Sequence, residues 1–184
     1  SYDVSTGDVL WECGGQTVNA IPSPVADQRA AYVMSGYKGS KVVAVPLDAT
    51  GDLTDGPHVH WQRDRGTPYV PSPVLVNHRL YFTAVNTSAL TCLDVTDGRI
   101  VFGPERLPEI ENVYASPVAA AGRIYFTSRE GVTTVIAATD QLEVLATNRL
   151  DDGFDASPAA VGKQLFLRGK NSLYCLEALS EPLP

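Results

Sequence analysis

Between Tyr69 and Leu107, short apolar runs alternate with polar pairs of the kind that reverse a chain. Val74 to Val76 is a brief strand, and Asn77 and His78 form the tip of a turn that leaves His78 on the surface. Leu80 to Val85 is a second strand, rich in aromatic and β-branched residues. Ala89 to Val95 is a third. Asp97-Gly98 is a strong reverse-turn pair, and Arg99 to Gly103 follows as a fourth strand. This pattern predicts one antiparallel meander of four strands.

The same grammar recurs along the chain. Ser-Pro stands at Ser23-Pro24, Ser72-Pro73, Ser116-Pro117 and Ser157-Pro158, with an aromatic nine residues after each serine: Tyr32, Tyr81, Tyr125 and Phe166. A fixed offset inside a loosely fixed period marks a stack of similar units. The units run over residues 16–62, 69–107, 113–150 and 154–179. In the first, the longer turn from Leu47 to Trp61 precedes a final strand near Val59 to Gln62. Gly103 to Tyr114 reads as a connector between units. The last unit has no fourth strand of its own. Residues 2–12 at the N-terminus read as the end of a third strand, a turn at Thr6-Gly7 and a fourth strand, so they are expected to complete it. No stretch keeps the three-and-four apolar spacing of a helix. Repeated four-stranded units of this length predict an all-β propeller of about four blades, each sheet keeping its neighbour dry.

The chain has 184 residues, 44% hydrophobic and 19% charged, which is enough to bury a core and excludes a disordered chain or a coiled coil. Net charge is −7, which argues against nucleic acid, whose binders need a basic face. No apolar run reaches the roughly 18 residues of a membrane span. Residue 1 is Ser and there is a single Met, so a processed or excised piece is expected. Cys13, Cys92 and Cys175 are odd in number, which excludes a complete disulfide framework. Cys92 in "LTCLD" and Cys175 in "LYCLE" hold one place in two repeats, and both are expected to be buried.

The turn into the fourth strand carries a sharper pattern. Asp3, Gly7 and Trp11 stand four residues apart; Asp94, Gly98 and Phe102 repeat the spacing; Asp48, Gly51 and Trp61 give a stretched form. The third unit departs, with Gln141 for Gly and Leu145 for the aromatic, and the fourth has Glu177 in place of Asp. The carboxylate suits turn amides, the glycine suits positive φ and the ring suits packing between sheets. This resembles the tryptophan-docking motif of PQQ-like repeat proteins, the quinoprotein alcohol dehydrogenase-like propellers. The resemblance implies rings of about eight blades. The chain would then be half of such a ring or a segment of a larger one; pairing with a second copy to complete the ring, or closing alone, are the other arrangements.

The resemblance also implies PQQ with calcium, held against adjacent cysteines with a Glu and Asn for the metal and an Asp base. No two cysteines are adjacent in this sequence and no carboxylate sits in a matching context. No catalytic, cofactor-binding or metal residues are therefore assigned. His58 and His60 point to one strand face without a third ligand, and Asp151, Asp152 and Asp155 read as a solvated connector. The expectation is a non-catalytic scaffold or binding module for a protein or polymer partner, periplasmic or extracellular by resemblance. The alternatives are a PQQ-dependent dehydrogenase fragment and a propeller of the outer-membrane protein assembly type.

Overall fold

The computed structural model describes residues 1–54 and 56–177; the last residues of the fourth unit, 178–179, lie outside them. The strands are β1 (Trp11–Glu12), β2 (Val25–Ala26), β3 (Ala30–Ser35), β4 (Lys41–Pro46), β5 (Gly51–Asp52) and β6 (Trp61–Arg63). They continue with β7 (Val74–Val76), β8 (Arg79–Thr83), β9 (Ala89–Asp94), β10 (Ile100–Arg106), β11 (Val118–Ala120), β12 (Arg123–Thr127) and β13 (Val132–Ala137). The last are β14 (Val144–Arg149), β15 (Ala159–Val161), β16 (Gln164–Arg168) and β17 (Leu173–Glu177). Three four-stranded antiparallel sheets, β2-β3-β4-β6, β7-β8-β9-β10 and β11-β12-β13-β14, are followed by the three-stranded sheet β15-β16-β17.

Local chemistry accounts for the hairpins. Val76 pairs with Arg79 across Asn77 and His78, both at positive φ. Two consecutive left-handed residues match the twist of the strands they join. Ala121-Gly122 turns the third sheet in the same way. In the first sheet the turn is longer, and the Asp27 carboxylate accepts the amides of Arg29 and Ala30.

Packing between sheets forms the core. Tyr32, Met34, Val42 and Ala44 of the first sheet meet Leu80, Phe82 and Leu93 of the second. Tyr81, Cys92 and Phe102, on the other face of the second sheet, meet Ile124, Phe126 and Ile136 of the third. Alternate residues of one strand thus serve two neighbours, as the two-residue period requires. The innermost strands touch in order, β2 with β7, β7 with β11 and β11 with β15, but β15 and β2 share no contact. The four sheets are a propeller segment, open between the first and the fourth.

Several expectations change. The fourth strand of the second unit runs through Gly103 to Arg106, so the connector starts later than its Pro-bearing sequence suggests. Beyond it, Leu107, Ile110 and Val113 are buried in the core. The last strand of the first sheet starts at Trp61 rather than Val59. The N-terminal segment does turn, with Gly7 N–H donating to Asp3 O and Tyr2 bridging Val9. Its strand β1, however, pairs in parallel with β5 beside the first sheet, not with β17. Among the described residues, 2–12 therefore do not complete the fourth sheet. Cys175 is exposed while Cys92 is buried. The face of the second sheet that carries Cys92 is covered by the third; among the described residues, no sheet lies beyond the face that carries Cys175.

Candidate functional site

The repeated serines form a relay along the inner strands. Ser23 N–H donates to Ser72 Oγ at 2.9 Å, Ser72 N–H to Ser116 Oγ at 2.9 Å, and Ser116 N–H to Ser157 Oγ at 3.0 Å. Each serine directly precedes a proline, which supplies no amide of its own, so the serine N–H is the donor at that corner. Every blade is thereby tied to the next at the same point by the same bond.

Farther out, the motif residues tie successive blades differently at each junction. Trp61 lies across Gly98 of the next blade: a Cβ on Gly98 would fall 2.5 Å from the indole, and φ there is +71°. The indole N–H donates to Val95 O at 2.8 Å, and Tyr32 stacks on the ring at 5.8 Å. Asp94, whose side chain is nearly buried, accepts the Thr96 amide and binds Arg79 at 3.1 Å and Arg99 at 3.0 Å. The turn amide, helped by the two guanidinium groups and opposed by burial, holds its carboxyl below the usual carboxylate range.

Phe102 has no N–H to offer the third blade. Tyr81 supplies the bond instead, its hydroxyl donating to Thr139 O at 2.9 Å. Arg79 grips Asp140 through both carboxylate oxygens at 2.7 and 2.9 Å, which lowers the Asp140 pKa. Arg79 therefore joins the second blade's turn to the third's. The sequence hid this pairing because the third unit lacks the motif's glycine and aromatic.

At the N-terminus Asp3 accepts the amides of Ser5 and Thr6, which lower its pKa, and Gly7 takes φ +79°. Trp11 packs against Val43, Val45 and Leu53, covering the outward face of the first sheet. Gly51 has positive φ, but Asp48 is exposed, and the turn amide of Thr54 goes to Asp52 instead.

The junction of the third and fourth blades is the loose one. No aromatic stands at Leu145, which is exposed, and a cavity of about 510 Å³ opens between Tyr125, Thr133 and Val135 on one side and Leu165, Leu167 and Leu176 on the other. The connector is more than a solvated loop. Asp152 accepts the amides of Gly153, Lys170, Asn171 and Ser172, and Asp155 pairs with Arg129 at 2.6 Å.

The donor set does not fit a calcium-held quinone. Among the described residues no three His, Cys, Asp or Glu side chains converge as metal ligands. The three cysteines sit in β9, in β17 and beside β1. No helix among the described residues is long and apolar enough to cross a membrane.

The four radial sheets, serine relay and docked indole together describe a propeller of PQQ-like blades. The chain belongs to that repeat family: residues 2–180 match the family described as outer membrane protein assembly factor BamB. Its fold is similar to the crystal structure of BamB from Moraxella catarrhalis, at 15% identity and a TM-score of 0.50, covering 95% of this chain and 64% of that one. It is also similar to two computationally designed proteins. Ika8 aligns at 12% identity and a TM-score of 0.70, over 96% of this chain and 51% of its own; Ika4 aligns at 11% and 0.66, over 94% and 99%. The chain thus spans less than two thirds of the BamB structure and about half of Ika8. None of the curated proteins compared with it matches.

Proposed function

We propose that this propeller segment is a non-catalytic binding module that works with the protein-assembly machinery of a bacterial outer membrane, on its periplasmic side. The observation that carries the reading is the family match over residues 2–180, whose description is that of an assembly factor. The chemistry agrees with it. The recurrent polar residues are spent on holding blades together: Asp94 and Asp140 on Arg79, Asp152 on turn amides, the serines on one another. A partner would meet the loops and strand edges that remain. Function in such a protein belongs to sites carried by the fold and not to the fold itself.

The test has two arms. Immobilised protein is challenged with purified outer-membrane assembly components, and retention of a component above a control propeller is expected; no retention overturns the assembly reading. Separately, PQQ and calcium are added, followed by an alcohol or sugar and a redox dye. No bound-quinone absorbance and no dye reduction are expected, and turnover would restore the dehydrogenase alternative.

A further inference from the structure

The outer strands of the three complete sheets are not alike. An edge strand presents unpaired N–H and C=O groups, and proteins blunt such edges by keeping them short, by bulges, by charge and by proline. β6 has only three residues. β10 has seven, but its pairing with β9 slips between Ile100 and Phe102 and again between Phe102 and Glu105. It also contains Pro104 and ends on Glu105 and Arg106. β14 has six residues, no proline and one charge, at Arg149. Its pairing with β13 slips once, beside Leu145, and keeps register from Ala146 to Arg149. Of the three edges, that of β14 alone is left without these devices.

The backbone of β14 is aimed outward at defined places. Leu150 N–H donates to Gly131 O. Antiparallel pairing alternates bonded and non-bonded residues, so Asn148 and Ala146 face β13, while Thr147 and Arg149 turn their N–H and C=O away from it. Among the described residues, those two amides and two carbonyls have no partner. Val144 and Leu145, on the same strand, are exposed. The third unit is also the one that gives up the ring of the repeat motif. Trp61 packs against the next blade and Phe102 is buried, whereas Leu145 faces solvent. β14 is the fourth strand of a complete sheet, and the residues before and after it are all described, so its free edge is a property of the third blade itself.

We propose that the edge of β14 takes an extended segment of a partner polypeptide as a fifth, antiparallel strand of the third sheet. This rests on the reading of the chain as a binding module and names the kind of partner. Alternating donors and acceptors at the spacing of a strand are matched by another extended backbone. Charge sets its direction. Exposed Glu143 precedes β14, and Arg149 ends it with its side chain 60% exposed. An antiparallel strand therefore suits an acidic residue near its amino end, beside Arg149, and a basic residue near its carboxyl end, beside Glu143. Between them, β-branched residues suit the stretch from Val144 to Thr147.

The probe is a short synthetic peptide with blocked ends, glutamate first, lysine last, and valine and threonine alternating between them. Titrated into the full chain, it is expected to bind with a dissociation constant below about 1 mM. At about ten times that concentration, exchange of the Thr147 and Arg149 amides should slow about tenfold, with β6 and β10 unchanged. A probe methylated on the backbone nitrogens that face the edge should bind at least about tenfold more weakly. A probe with its two charges exchanged should bind about threefold more weakly. Thr147→Pro removes an outward N–H and spares the inner ladder, so it should cost at least about tenfold in affinity with an unchanged circular dichroism spectrum. If that variant misfolds, the methylated probe and the exchange pattern of the unaltered protein decide. No binding, equal binding of the methylated probe, or protection away from β14 overturns the proposal. So does a chain that refuses the probe but self-associates until Thr147→Pro is introduced, which gives the edge to a second copy. Retention of an assembly component undiminished by Thr147→Pro removes the edge and leaves the assembly reading standing; probe binding without such retention does the reverse.

Discussion

Gly98 meets two demands at once: a left-handed backbone and an indole lying flat against its Cα. Gly98→Ala adds a methyl group 2.5 Å from Trp61 at φ +71°, and a loss of about 3 kcal/mol is expected in urea unfolding. Gly7 has φ +79°, and a methyl group there would meet nothing within 4 Å, so Gly7→Ala should cost only the backbone term, about 1 kcal/mol. Equal losses at the two sites would show that Trp61 does not press on Gly98. Trp61→Phe keeps most of the ring and leaves Val95 O without its donor, for about 1–3 kcal/mol. Cysteine reactivity follows burial as well. Burial pushes the Cys92 thiol up to about 12, so in the folded protein it should stay unlabelled while exposed Cys175 reacts. Rapid labelling of Cys92 in the folded protein would contradict its place in the core.

At the scale of the element, hairpin turns and strand faces were legible because they depend on neighbours in sequence. Asn77-His78 and Ala121-Gly122 announce their turns locally. The length of β10 was not legible, since Gly103-Pro104 reads as a break while the strand continues to Arg106. Nor was the Arg79–Asp140 pair, which joins residues of different sheets that nothing in the local pattern relates. The turns make a statement about pH. Asp3, Asp94 and Asp140 all have carboxyl pKa values below the ordinary 3.8 when folded. The unfolded chain therefore takes up protons first as pH falls. The stability they contribute is present above about pH 4 and declines through the folded pKa values below it. Urea midpoints measured from pH 6 down to 3 should fall for the native protein and fall less for Asp94→Asn, which starts lower.

Across the whole molecule, packing grades from tight to loose. The second and third blades share a continuous apolar cluster, whereas a cavity of about 510 Å³ separates the third from the fourth. Hydrogen exchange in dilute solution should therefore protect the amides of β8, β9, β12 and β13 most and those of β16 and β17 least. Uniform protection would mean that the fourth blade is held as firmly as the rest. The Ser-Pro period foretold the number of blades, since each unit carries its own copy of the relay. It did not foretell where β1 would pair, because joining chain ends around an axis is a long-range event with no trace in local spacing. The same modularity bears on how such chains lengthen. A duplicated repeat arrives with its serine, its proline and the hydrogen bond they make, so inserting one needs no new invention at the hub.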